Sequence, residues 1–490
     1  MSSRPVVPGF YPDPTVCRVG DDYYLATSSF EYAPGVPLFR STDLLSWTQV
    51  GNVLDRPSQL TVAGGLAGAS RGIYAPTLRH HDGRFWMVTT DVGRIDDGHL
   101  LVHAADPAGP WSEPAFTAGA VGIDPDLAWD GPDCYLTWKR EDGGGIWQAL
   151  LDPETGRLLS EPRLLWTGTG LAQTEGPHLL RRGRWWYLVV AEGGTGRGHA
   201  VSVARSERPS GPFAGCPANP VLSHRSLDGP VQSTGHGDLV ERQDGTWAML
   251  YLGVRPAGSP HRFHVNGRET FLAGVDWVDD WPVVDEDRFD VPAARTSFVD
   301  RFAEPELDPR WVSPGRHPGE FAAPGPAGLE LAPGRAPVAR VAERMLAVRT
   351  RDERWTAVVR LARGDAAVVV RIDDAHWAGV ERVGDQVLAR AVVGDLDQVL
   401  DRAVAGTGEV DLLVRAVPAT GERRHRGPDR LELGLVVDGR PQVLAGIDGR
   451  YVSTEVAGGF TGRVLGVEAL RGPAVVRSVT YAAEPADPAS

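Results

Sequence analysis

Lysine is nearly missing from this chain. Of its 50 basic residues, Lys139 is the one lysine and the rest are arginine, a skew that reads as the coding bias of a GC-rich genome. Cysteine is scarce as well. Cys17, Cys134 and Cys216 stand far apart and are odd in number, which fits neither a disulfide framework nor a cysteine zinc site. Positive charge is outweighed: the formal net charge is −14, so neither nucleic acid nor an anionic membrane is an expected partner. No apolar run reaches the ~18 residues of a membrane span, and Met1–Pro5 has no apolar signal core. A cytoplasmic location is therefore the expectation.

What is present points to short strands. At 490 residues the chain exceeds one ordinary core, so two or three domains are expected. Fifteen Trp with 59 Gly and 39 Pro favour an all-β chain rich in turns over a helical one. An aromatic strand recurs at roughly 50–60 residue intervals: Tyr23-Tyr24-Leu25, Phe85-Trp86-Met87, Tyr135-Leu136, Trp185-Trp186-Tyr187 and Trp247-Ala248-Met249. A turn-forming residue or dipeptide, such as Asp82-Gly83 or Asp244-Gly245, leads into each one, which is hairpin chemistry. Five copies of a unit with about four strands predict a five-bladed β-propeller over residues 1–284. An acidic, proline-containing linker follows over 285–297. Val/Ala/Arg-rich strands such as Ala366–Ile372 and Leu431–Val437 then predict a concanavalin-like β-sandwich (a jelly roll) over 298–482, with a disordered tail at 483–490.

Aligning the residues about ten positions before each aromatic strand exposes a second pattern. Copy one has Asp13-Pro14-Thr15, copy two Ala75-Pro76-Thr77, copy three Asp124-Pro125-Asp126, copy four Glu175-Gly176-Pro177-His178 and copy five His236-Gly237-Asp238. The first strand of a propeller blade lines the central channel, so Asp13, Asp124, Glu175 and His236 are expected to face one another there. Buried charges are costly unless paired or used. Three carboxylates suit glycoside hydrolysis with inversion, which takes a carboxylate base and a carboxylic acid about 6.5–9.5 Å apart with water between. The third carboxylate keeps the acid protonated by like-charge repulsion. Asp126 and Asp238 read as structural. Asp13 and Asp124, read alone, are also ordinary turn residues. Gly194–Gly198 precedes no expected helix and is set aside as a phosphate loop, and His80-His81 lacks metal-ligand spacing.

Gly9–Thr15 (Gly-Phe-Tyr-Pro-Asp-Pro-Thr), Thr27–Pro37, Gly122–Pro125, Glu175–His178, Thr234–Val240 and Gly267–Leu272 together resemble glycoside hydrolase family 43, and Gly458–Gly462 resembles the C-terminal domain of its β-xylosidase and α-L-arabinofuranosidase branch. The resemblance implies that Asp13 is the general base, Glu175 the general acid and Asp124 the residue that tunes and orients that acid. It implies substrate contacts at Phe30, Tyr74 and Arg268, where Tyr74 stands in place of the more usual Trp and Arg268 has the alternative of pairing with an acidic neighbour. It matches His236 to an axial histidine that in relatives meets a central cation, often Ca²⁺, or water. It further implies a small oligosaccharide as partner, no organic cofactor and a homo-oligomer as an open possibility. The expected activity is release of xylose from the non-reducing end of β-1,4-xylooligosaccharides. α-L-Arabinofuranosidase activity is the alternative, and a non-catalytic sugar-binding propeller is the alternative of a different class. Whether the C-terminal domain reaches the site or is an independent module is open at this level.

Overall fold

A computed structural model describes residues 4–62, 68–142, 144–333, 344–419 and 425–484. The tail expected at 483–490 falls outside it from residue 485 on. Five antiparallel sheets follow one another along the first 285 residues, each with its strands in chain order from the inside outward. Their innermost strands are Thr15–Val19, Thr77–His81, Ile123–Asp130, Glu175–Arg182 and Gln232–Glu241. Each of these lies beside the next, and the fifth lies beside the first, so the blades close into a ring. The closure is fastened by the N-terminal segment: Val6 and Val7 donate backbone hydrogen bonds to Thr270 O in the third strand of blade five, and Gly9 N donates to Glu269 Oε1. The structure is thus a five-bladed propeller.

The recurring aromatic strands make the walls between blades. Phe85 and Met87 pack with Tyr24 between blades one and two, Trp86 with Trp138 between two and three, and Tyr187 with Trp247 between four and five. Burying one large apolar side chain is worth about 1.5–3 kcal/mol, and the second strands of blades one, two and four present aromatics to both sides. The sequence turn Asp82-Gly83 does what its composition demands: φ is 49° and 72°, the paired left-handed conformation of a tight two-residue hairpin.

After the last propeller strand, Trp281–Asp285, the chain crosses to Phe298–Asp300 and enters a sandwich of an eight-stranded and a six-stranded sheet. Alternating residues of facing strands, among them Trp355, Val359, Val368, Val380, Leu412 and Leu465, fill its core. The two domains share a seam. Ser313 and Pro314 pair with Ala33 and Tyr32 as a two-stranded ribbon, and the Arg349 guanidinium sits 4.6 Å from the Phe10 ring and 4.7 Å from the Tyr11 ring. At Gly462 the sandwich backbone lies so close to the propeller that an added Cβ would come within 2.4 Å of Asn266 C, so only glycine fits. All three cysteines are buried and free. Among the described residues no helix is long and apolar enough to cross a membrane.

Candidate active site

In four of the five blades the chain passes through a left-handed residue at the start of the inner strand. Asp13 has φ 55°, Asp124 55°, Gly176 57° and His236 49°, at the same point of blades one, three, four and five. A non-glycine residue held there costs on the order of 1–3 kcal/mol and persists only where its surroundings over-determine it. In blades three, four and five the ladder slips register at this point, between Ile123 and Asp126, between Glu175 and His178 and on either side of Gly235. Such bulges re-aim side chains. Blade two has Ala75 in the slot and contributes the preceding Tyr74 instead.

Asp13 is buried and held on both oxygens. Arg268 Nη1 lies 2.9 Å from Oδ1, Arg268 Nη2 3.3 Å from Oδ2, and Ser28 Oγ donates to Oδ2 at 2.6 Å. Burial alone pushes its carboxyl upward, but Arg268, His236 and Ser28 outweigh that and hold it below the usual aspartate range. It stays ionised. Asp124 goes the other way: burial, then the Asp13 charge, push it up to about 6. Its Oδ2 accepts from Gly176 N at 2.9 Å, the amide of the peptide bond that follows Glu175. Glu175 is raised from the usual glutamate range by burial and then by Asp124, while Lys139 pulls it back. One carboxylate is thus kept ionised and another is biased toward its proton, the division of labour an acid–base pair requires.

Lys139 closes the strand Asp133–Lys139, across the ladder from Ile123. Its Nζ is 2.8 Å from Glu175 Oε2 and 3.0 Å from Gln173 Oε1. The skew that reads as coding bias in the sequence therefore has a local exception: the lone lysine sits on the candidate acid. Its uniqueness was the available signal.

His236 stands 3.7 Å from Asp13 Oδ1, and burial pushes it down to about 4, so it is a neutral imidazole at pH 7. Among the described residues no three His, Cys, Asp or Glu side chains are grouped to hold a metal ion, and Arg268 already occupies the carboxylate nearest His236. The donor set does not fit the central cation that the sequence expectation attached to His236. One layer down the axis, Arg79 plugs the channel. Its guanidinium pairs with Asp126 at 2.7 Å and Asp238 at 2.9 Å, and both carboxylates also accept backbone amides, from Leu179 and Val16. Asp126 belongs to this plug; its charge is neutralised there.

Three aromatic rings wall the site beside Arg268. Phe30 is fully buried with φ 50°, Tyr74 meets it edge-on at 5.6 Å, and Phe460 stacks on Phe30 at 6.2 Å. The Arg268 guanidinium lies over both Phe30 and Phe460. Phe460 comes from the sandwich, on a loop tied to the propeller by Phe460 N donating to Ser70 Oγ and Thr461 Oγ1 donating to Gly68 O, each at 2.7 Å. The second domain thus completes the wall of the site. A cavity of about 760 Å³ continues from Arg268 and Phe460 between the domains, past Thr195, Arg197, Arg262 and His264.

This geometry has known counterparts. The family model "Glycosyl hydrolases family 43" matches residues 2–282, and "Beta xylosidase C-terminal Concanavalin A-like domain" matches 299–479. The chain belongs to glycosyl hydrolases family 43. A xylosidase/arabinosidase of Butyrivibrio fibrisolvens is 43% identical over 66% of this chain and 66% of its own length. A non-reducing end α-L-arabinofuranosidase of Bacteroides ovatus is 34% identical over 95% of this chain and 90% of its own. Among solved structures, a xylan β-1,4-xylosidase from Bacillus halodurans superposes with a TM-score of 0.85 at 28% identity, covering 98% of this chain and 99% of that one. This family 43 chain is a glycosidase, an enzyme hydrolysing O-glycosyl bonds. Two parts of its site went unassigned in the sequence reading, Lys139 with Gln173 and Phe460, although Phe460 lay inside a motif already recognised.

Proposed function

We propose that this enzyme is an inverting exo-glycosidase that releases xylose from the non-reducing end of short β-1,4-xylooligosaccharides. The observation that carries the reading is the opposed tuning of two carboxyls on one axis, Asp13 held low by Arg268 and Glu175 pushed up beside Asp124. Glu175 gives its proton to the glycosidic oxygen as the C1–O bond breaks. Asp13 takes a proton from the water whose oxygen bonds C1 from the other face. Asp124 holds the acid's peptide and its charge keeps the acid protonated at rest. Phe30, Tyr74 and Phe460 enclose the terminal sugar, Arg268 meets its hydroxyls, and the sandwich wall favours chain ends over mid-chain cleavage. No organic cofactor takes part in these steps.

α-L-Arabinofuranosidase activity is the second reading, favoured by Tyr74, which offers a smaller ring and a hydroxyl at the sugar wall, and by the name of the relative aligned over 95% of the chain. Aryl β-xyloside and aryl α-L-arabinofuranoside compared side by side decide between them. Proton NMR of the first-formed sugar is expected to show inversion. Retention, or hydrolysis unaltered in Glu175→Ala, overturns the reading. A cytoplasmic location and a homo-oligomer belong to the same proposal, tested by cell fractionation and analytical ultracentrifugation.

A further inference from the structure

Arginine serves every basic position of this chain but one. Buried ion pairs use it (Arg79 with Asp126, Arg255 with Glu269, Arg268 with Asp13), and so does the residue directly after Lys139: Arg140 turns away to pair with Asp142 and lie over Trp147. A chain that places arginine so consistently has a lysine only where Nζ reaches Glu175 Oε2. The exception has a physical reason. A guanidinium is a flat fork that binds both oxygens of a carboxylate, whereas an ammonium is a point charge that can hold one. An acid that must carry a proton on one oxygen needs the other held and the first left free.

We propose that Lys139 is the positioning residue of the acid step: it grips Glu175 through Oε2, leaves Oε1 to carry the proton, and stabilises the carboxylate that remains once that proton has gone to the leaving oxygen. The proposal rests on Glu175 being the general acid. The balance is simple. The proton moves from Glu175 to the glycosidic oxygen, C1–O breaks, the leaving sugar departs with that hydroxyl, and the negative charge stays on Glu175 beside the ammonium. Gln173 Oε1 fixes the ammonium from the other side, on a backbone with φ 54°, another left-handed residue at the site. The charged and titratable groups facing Glu175 are Lys139, Asp124 and His236, and Asp124 in turn faces Asp13, Lys139 and His178. Asp124 opposes loss of the acid's proton and Lys139 favours it, so the two bracket the acid from opposite sides.

Because Lys139 is the sole lysine, amine acetylation of the unaltered enzyme reaches only this side chain and the N-terminal amine, and mass spectrometry separates the two. Acetylation at Lys139, and the variant Lys139→Met, are expected to lower kcat on the disaccharide about 10- to 100-fold, the range of a weakened general acid. Both are expected to leave a 2,4-dinitrophenyl glycoside, whose leaving group needs no proton, within about threefold. The alkaline limb of kcat/KM should move to higher pH. Lys139→Arg should not restore the disaccharide rate, and its alkaline limb should fall below that of the unaltered enzyme, since the fork holds both oxygens ionised. Wild-type rate and profile in Lys139→Arg, or equal losses on both substrates with an unchanged profile, overturn the proposal. Glu175→Gln separates the two levels: if it leaves disaccharide hydrolysis intact, the assignment of the acid fails; if it abolishes hydrolysis while Lys139 is dispensable, only the role of Lys139 fails.

Discussion

Asp124 Oδ2 accepts a hydrogen bond from Gly176 N at 2.9 Å, so the carboxylate whose charge raises Glu175 also anchors the backbone that carries it. The two roles separate by substitution. Asp124→Asn keeps an acceptor for the amide and removes the charge, so Glu175 should titrate lower and the alkaline limb of kcat/KM should shift to lower pH. Asp124→Ala removes both and should cost at least about tenfold more in kcat than the Asn variant. Equal losses in the two variants would mean that the hydrogen bond contributes nothing.

Arg268 holds Asp13 ionised against its own burial. In Arg268→Met the burial effect is unopposed by a guanidinium, so the Asp13 pKa rises and the acidic limb of kcat/KM moves to higher pH. KM for the sugar should rise with it. Stability carries the same sign. Asp13 and Asp238 titrate lower folded than unfolded, so their contribution is present above the unfolded value of about 3.9 and is lost as pH falls through the folded values. Acid unfolding followed by circular dichroism should begin at higher pH in Arg268→Met.

Arg79 neutralises two carboxylates in the floor of the channel. Arg79→Met strands both, and breaking a buried pair of this kind costs about 3–5 kcal/mol. Chemical denaturation should show a loss of that order, and adding Asp126→Asn with Asp238→Asn should recover part of it. A melting curve unchanged in Arg79→Met would show that the plug is not stabilising.

Phe460 makes the sandwich part of the aromatic wall at the candidate site. Phe460→Ala should raise KM for terminal sugars by about tenfold, the effect of losing one stacked ring, while leaving the melting transition of the propeller in place. Unchanged steady-state kinetics would return the second domain to a purely structural role.

Much of this was legible in one dimension because propeller repeats are local. Hairpin turns such as Asp82-Gly83 and the aromatic strand that follows them depend on neighbours in the chain, so their fivefold recurrence announces the blades. The alignment of Asp13, Asp124, Glu175 and His236 followed from the same periodicity. It was imperfect at one position. The slot that Asp13 and Asp124 occupy is filled in blade four by Gly176, and Glu175 sits one residue earlier beside a bulge. Periodicity has no means of showing a bulge. The pairings that cross blades were hidden for a simpler reason: Arg79 meets Asp126 and Asp238 across sequence separations that no spacing rule spans, and Phe460 meets Phe30 from another domain.

By itself, then, the sequence determined the all-β class, the five blades and the identity of the carboxylates on the axis, because local turn chemistry and a repeated strand are written contiguously. Only the tertiary structure decided what each carboxylate touches. Ring closure set Arg268 on Asp13, a bulge aimed Glu175, and the end of a neighbouring strand delivered Lys139 to it. A carboxyl group's proton affinity depends on burial and on charges a few ångströms away, and those distances exist only once the ring has closed.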